Sequence, residues 1–155
     1  MDILKNLNAY EIQQYQQNRY PLLFVDEIVE ARPGQSAKGV KCFSYNEWFF
    51  PAHFEDEPVV PGFVQIEALT QVFLMSFLTM PEYKGKKTGF ISVKNRFWKK
   101  IVPGQRLDIE AELSRFRHGL AVGVSEGYVD GDLACRAELE IAIPDVMEQL
   151  RPQSR

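Results

Sequence analysis

The stretch Pro51–Met80, PAHFEDEPVVPGFVQIEALTQVFLMSFLTM, decides the fold. From Gly62 to Leu78 it is apolar on nearly every side, with Phe63, Val64, Ile66, Leu69, Val72 and Phe73 among its residues. A helix that is apolar all round belongs inside a core or a membrane. This one is interrupted by Gln65, Glu67, Thr70 and Gln71 and falls short of the about 20 apolar residues that a span requires. The pattern therefore predicts a buried central helix. Pro61-Gly62 opens it, since a proline at a helix start gives up an N–H that would have had no partner there. The helix carries one carboxylate, Glu67. An unpaired carboxylate in an apolar wall is costly, so it must find a partner or take up a proton. Just upstream, in a loop, lies His53.

Around that unit the chain reads as one α+β domain spanning residues 1–155. Residues 1–17 show loosely helical spacing of Ile3, Leu4, Leu7, Tyr10, Ile12 and Tyr15, which predicts a short amphipathic N-terminal helix. Strands are expected at Leu22–Glu30, Ser36–Tyr45, Thr88–Phe97, Arg106–Phe116, Leu120–Val129 and Leu133–Ile143. Turns fall at Arg117-His118-Gly119 and Asp130-Gly131-Asp132, and Asp-Gly is a strong hairpin signal. Residues 145–155 form a polar tail. One long buried helix among about six mostly antiparallel strands predicts a sheet curled round the helix. A single sheet covers so apolar a helix incompletely, which points to a dimer.

Composition narrows the function classes. The chain is 45% hydrophobic and 25% charged, which is globular. A formal charge of −3 and no recognition motif argue against nucleic acid. Cys42 and Cys135 sit in alternating runs, as reduced thiols on strands do, and MDILKNLNAY has no secretory pattern. The expectation is a cytoplasmic protein without a membrane span. The acidic run Glu55-Asp56-Glu57 points in different directions from one loop, so it reads as solvated and not as a metal site. His118, in a turn, reads as a surface residue.

His53 and Glu67 offer a group that titrates near neutrality and a carboxyl whose pKa burial should raise. Between them lies the helix start at Gly62 and Phe63, whose free N–H groups favour negative charge on an oxygen. Base, acid and oxyanion donors are the parts needed to remove a proton beside a carbonyl. The plainer alternative is a surface histidine and a glutamate paired by Gln or Arg.

HFEDEPVVPGFVQIEALTQ resembles the signature of the bacterial beta-hydroxyacyl-acyl-carrier-protein dehydratases, which have the hotdog fold. The matching pieces are His53-Phe54, Pro58, Pro61-Gly62, and Glu67-Ala68-Leu69 with Gln71. Arg19-Tyr20-Pro21-Leu22-Leu23 with Val25-Asp26 is similar to the family's opening strand, and Arg96-Phe97 through Val102-Pro103-Gly104 to its later corner. Tyr128-Val129-Asp130-Gly131 is similar to its last hairpin. Departures are Asn18 in place of the usual His, Ala52 for Gly, Glu55-Asp56-Glu57 for Pro-Gly-His, Lys100 for Pro and Gln105 for Asp.

The resemblance implies that His53 removes the alpha proton of a beta-hydroxyacyl thioester while Glu67 helps the hydroxyl leave, giving a trans-2-enoyl product. It further implies a site at a dimer interface, His53 facing the Glu67 of the other subunit, in a homodimer or a trimer of dimers. The amides of Gly62 and Phe63 would polarise the thioester carbonyl, and Phe63 and Phe97 would line an acyl tunnel. Glu67, where related dehydratase-isomerases carry Asp, favours plain dehydration; no metal or redox cofactor is implied. The pathway would be fatty acid synthesis or a specialised lipid or polyketide route. Lys94, Arg96, Lys99 and Lys100 form a basic set that would steer an acidic acyl carrier protein, or simply protect a strand edge. A hotdog thioesterase and a non-catalytic carrier-binding scaffold are the alternatives.

Overall fold

The structure, a computed structural model, describes residues 1–149. Its strands are β1 (Leu4–Asn8), β2 (Glu27–Arg32), β3 (Ser36–Cys42), β4 (Gly89–Phe97), β5 (Arg106–Arg117), β6 (Leu120–Val129) and β7 (Asp132–Ala142). The helices are α1 (Ala9–Ile12), α2 (Gly62–Leu78) and α3 (Pro144–Gln149). All seven strands join one antiparallel sheet in the order β1-β2-β3-β5-β6-β7-β4, and α2 packs against β2, β3, β5, β6 and β7.

Turn chemistry sets the long meander. At the β6–β7 hairpin Asp130 and Gly131 have φ of 50° and 83°, and at the β5–β6 hairpin His118 and Gly119 have 53° and 78°. Two successive positive φ values give the turn whose twist matches the flanking strands. His118 is exposed there, as expected.

Strand β6 alternates strictly, its buried residues Ala121, Gly123, Ser125, Gly127 and Val129 facing inward. These are small because α2 lies very close. A Cβ on Gly123 would come within 2.5 Å of Phe73, and one on Gly39 of β3 within 2.7 Å of Val72. The Ser125 hydroxyl donates to the Leu69 carbonyl at 2.8 Å and ties the sheet to the helix directly.

Three expectations need correction. The sheet has seven strands instead of about six, because residues 1–17 are not one helix: Leu4–Asn8 pairs with β2, with Leu4 opposite Ala31 and Leu7 opposite Ile28. A free sheet edge outweighs weak helical spacing there. Helix then begins with a capping box, Asn8 Oδ1 accepting from Glu11 N–H and Glu11 Oε2 from Asn8 N–H, and α1 is only four residues long. Second, the strand expected from Leu22 begins at Glu27, since the Phe24 N–H is held by a side chain of α2 and not by a neighbouring strand. Third, Pro144–Gln149 of the polar tail is helical; residues 150–155 lie outside the described residues.

Coverage of α2 is uneven. From Ala68 to Leu78 every residue is buried, but Phe63 is 52% exposed, and Ile66 and Glu67 are half-buried. Spaced i, i+3, i+4, these three form one stripe that the sheet leaves open. The edge strand β4 is open too: it pairs only with β7 and exposes Phe90, Ile91, Val93 and Phe97.

Candidate active site

His53 closes a short 3-10 turn, Phe50–Ala52, whose aromatic residues anchor it: Phe50 is fully buried, and Phe49 packs against both Phe50 and Phe43. The ring Nδ1 of His53 lies 3.0 Å from the Val59 carbonyl, and the Val59 N–H donates to the His53 carbonyl at 2.9 Å. A carbonyl only accepts, so in the neutral imidazole Nδ1 bears the hydrogen and Nε2 carries the free lone pair. That is the arrangement of a general base.

Glu67 faces a small cavity of about 160 Å³ lined by Asn18, Thr70, Leu74, Thr88, Phe90 and Ile141, with Gly89. Burial pushes its carboxyl above the usual range, and a hydrogen bond from Gln71 opposes the shift. That bond runs from Gln71 Nε2 to Glu67 Oε2 at 3.0 Å. Gln71 itself is wholly buried and cannot turn over: its Oε1 accepts from Phe24 N–H and its Nε2 donates to the Leu22 carbonyl, each at 2.7 Å. Backbone donors and acceptors are unambiguous, so they fix the amide, and the amide fixes Glu67.

The start of α2 supplies the third component. Val64 and Gln65 N–H groups both turn back to the Pro61 carbonyl. Gly62 and Phe63, as the first helical residues, have no intrahelical acceptor, and Pro61 offers no capping side chain. The Phe97 ring lies against Gly62, where a Cβ would meet Cζ at 3.0 Å. Beside it runs an open groove of about 490 Å³ bordered by Val60, Gln65, Phe97, Trp98, Lys99 and Lys100.

Within one chain the structure does not bring the predicted pair together: His53 is not among the walls of the Glu67 cavity, and each is bonded to its own neighbour. Phe63 and Phe97 are both about half exposed (52% and 46%) and border open surface. The basic set is exposed and divided. Lys100 pairs with Glu57 at 2.6 Å, tying the β4–β5 connection to the acidic loop, and Lys99 with Asp132 at 3.2 Å. Arg96 lies over the Trp98 ring at 5.4 Å and, with Lys94, Arg136 and Glu138, lines a surface groove of about 290 Å³. Sequence reading held a Gln partner for Glu67 as its plainer alternative, without naming Gln71 or the backbone that clamps it, and it missed the place of Asn18. The i, i+4 spacing of Glu67 and Gln71 was a signal for the first; nothing local announces the second.

Comparison with known proteins follows this geometry. A family model described as a FabA-like domain matches residues 17–138. The chain is 41% identical over 138 residues to a 3-hydroxyacyl-[acyl-carrier-protein] dehydratase FabZ of Clostridium novyi, covering 88% of this chain and 97% of that protein. It is 43% identical over 140 residues to the protein of that name from Clostridium botulinum, covering 90% and 97%. Among solved structures, the dehydratase heterocomplex ApeI:P from Xenorhabdus doucetiae superposes with a TM-score of 0.73 at 17% identity, over 90% of this chain and 95% of that one. That likeness establishes the fold. With its antiparallel sheet wrapped round one central helix and a family match that runs from Gln17 to Glu138, the chain belongs to the FabA-like family of hotdog proteins.

Proposed function

We propose that this protein is a dehydratase acting on 3-hydroxyacyl thioesters carried by an acyl carrier protein. His53 Nε2 takes the proton from the carbon beside the thioester carbonyl. The electron pair left on that carbon forms the new double bond as the carbon–oxygen bond at the neighbouring position breaks. Glu67, in its carboxylic acid form, gives its proton to the departing hydroxyl, which leaves as water. The free amides of Gly62 and Phe63 stabilise the negative charge that develops on the thioester oxygen. Proton transfer from the imidazolium to the Glu67 carboxylate restores both groups.

One observation carries this reading: the two candidate groups sit in complementary environments. The Val59 carbonyl leaves Nε2 of a neutral His53 free to accept a proton, and burial raises the Glu67 carboxyl above its ordinary range. A free imidazole nitrogen and a carboxyl raised by burial are the parts of an acid–base pair.

The pair meets across a dimer interface in this proposal. The stripe of Phe63, Ile66 and Glu67, together with the open edge of β4, is an apolar surface that a second copy would cover. Such a dimer would close the Phe97 groove into a tunnel for the acyl chain. Lys94, Arg96, Lys99 and Lys100 lie on or just after β4, where they would guide an acidic carrier protein to the mouth.

Mixing variants tests both claims. His53→Ala and Glu67→Gln should each abolish dehydration of a carrier-bound 3-hydroxybutyryl thioester. In a shared site, mixed dimers of the two variants hold one intact site, so an equal mixture should regain about one quarter of wild-type activity. A mixture that stays inactive although it exchanges subunits would show that the two residues do not work across the interface. Free thiol released in place of the enoyl thioester would indicate hydrolysis.

A further inference from the structure

Asn18 enters the Glu67 cavity from the connection between α1 and β2, and its orientation can be deduced link by link. The Gln71 backbone carbonyl accepts from Gln16 Nε2 at 3.1 Å. Gln16 is 1% exposed, and that bond leaves its Oε1 as an acceptor, which receives Asn18 Nδ2 at 2.9 Å. Asn18 therefore uses its donor end inward. Its Oδ1 accepts no hydrogen bond from the described residues, although the residue lines the cavity. Arg19 braces this segment by donating to the carbonyls of Gln13, Gln16 and Asn18 at 2.8–2.9 Å.

The opposite wall is determined in the same way. Glu67 Oε2 accepts from the clamped Gln71 amide, so the acidic proton belongs on Oε1. Of the other polar walls, the Thr70 hydroxyl is already committed to the Ile66 carbonyl at 2.7 Å. With its carboxyl protonated, Glu67 offers an O–H donor and Asn18 an amide acceptor; the Thr88 hydroxyl is the remaining polar side-chain group on the walls. An alcohol has that same need: a donor for its oxygen and an acceptor for its hydrogen.

We infer that Asn18 Oδ1 binds the 3-hydroxyl of the substrate, accepting its hydrogen while Glu67 addresses its oxygen, so that Asn18 is a hydroxyl-recognition residue of this site. This inference rests on the dehydratase reading. In the elimination Asn18 moves no proton and breaks no bond. It holds the oxygen lone pair toward the acid, and the water that leaves keeps the same hydrogen bond. A neutral imidazole supplies one donor and one acceptor as the amide does, so His, the residue usual here in the family, would preserve the function.

The test compares ligands with and without the hydroxyl. Asn18→Leu, of similar size, should lower kcat/KM for 3-hydroxybutyryl-pantetheine dehydration about 10-fold, the worth of one neutral hydrogen bond. Inhibition by butyryl-pantetheine, which lacks the hydroxyl, should stay within about twofold of wild type. Asn18→His should retain more activity than Asn18→Leu. If Asn18→Leu matches wild type, or weakens butyryl-pantetheine as much as it slows dehydration, the inference fails and the dehydratase reading stands. An inactive wild type would overturn both.

Discussion

Gln71→Leu is the sharpest perturbation of the site's architecture. Leucine matches glutamine closely in volume, so the change removes hydrogen bonds without opening a large cavity. Three are lost: those to Phe24 N–H, to the Leu22 carbonyl and to Glu67 Oε2. Phe24 is 1% exposed and its N–H has no water to turn to; leaving such a group unpaired costs about 1–3 kcal/mol. Leu22 is 52% exposed, so solvent replaces much of that bond and the added loss is about 1 kcal/mol at most. The sum is about 1–4 kcal/mol, or a fall in Tm of roughly 3–12 °C for a domain of this size. Thermal melts by circular dichroism would read it, with Gln17→Leu as control. Gln17 donates only to the Gly85 carbonyl at the surface, so its loss should stay within about 0.5 kcal/mol. Glu67 gives a second readout: without the Gln71 donor its carboxyl should move still further up. A Gln71→Leu protein as stable as the control would refute the clamp.

Two other outcomes follow from titratable groups. Glu67 has a folded-state pKa above its ordinary value of 4.5, so the folded chain holds that proton more tightly than the unfolded one. Stability from this group is fully present below about 4.5 and is lost as pH rises through the folded pKa. Glu67→Gln should therefore gain stability over wild type across that window and hold a constant advantage above it; urea melts over a pH series check this, and parallel curves would contradict it. The Cys135 thiol is buried and pushed up to about 12, whereas Cys42 is exposed. A thiol reagent at mildly alkaline pH should modify Cys42 quickly and Cys135 only after unfolding, and two fast thiols in the native protein would contradict the burial.

Legibility in the sequence tracked how local each cause was. The bounds of α2 follow from Pro61-Gly62 and a run that is apolar on nearly every side, and the structure starts and stops the helix at Gly62 and Leu78. The β6–β7 hairpin follows from Asp130-Gly131, because the turn geometry resides in those two residues. Leu4–Asn8 was misread because an edge strand is defined by its partner: Leu4 and Leu7 bury themselves against Ala31 and Ile28, and a spacing of three suits a short helix equally well. Leu22–Asp26 was misread for a related reason, its Phe24 amide being claimed by a glutamine 47 residues away.

The site divides along the same line. His53, Glu67 and the helix start could be named because each announces its chemistry by residue type and position. What prepares them for that chemistry is not local. Val59 determines which nitrogen of a neutral His53 is free, and Gln71 occupies one oxygen of Glu67 and leaves the other open. Gln71 is held in turn by Leu22 and Phe24, and its own carbonyl sets Gln16 and through it Asn18. The Gln71 and Gln16 amides are anchored to backbone groups whose roles cannot invert, and Asn18 is oriented through Gln16. In a cavity built so, the Asn18 and Glu67 side chains are oriented before any ligand arrives, so little reorientation is left to the moment of reaction. Gln16→Leu should therefore act on Asn18 and Gln71→Leu on Glu67, although neither residue need touch the substrate, because the Gln71 carbonyl that holds Gln16 is backbone and survives a side-chain change.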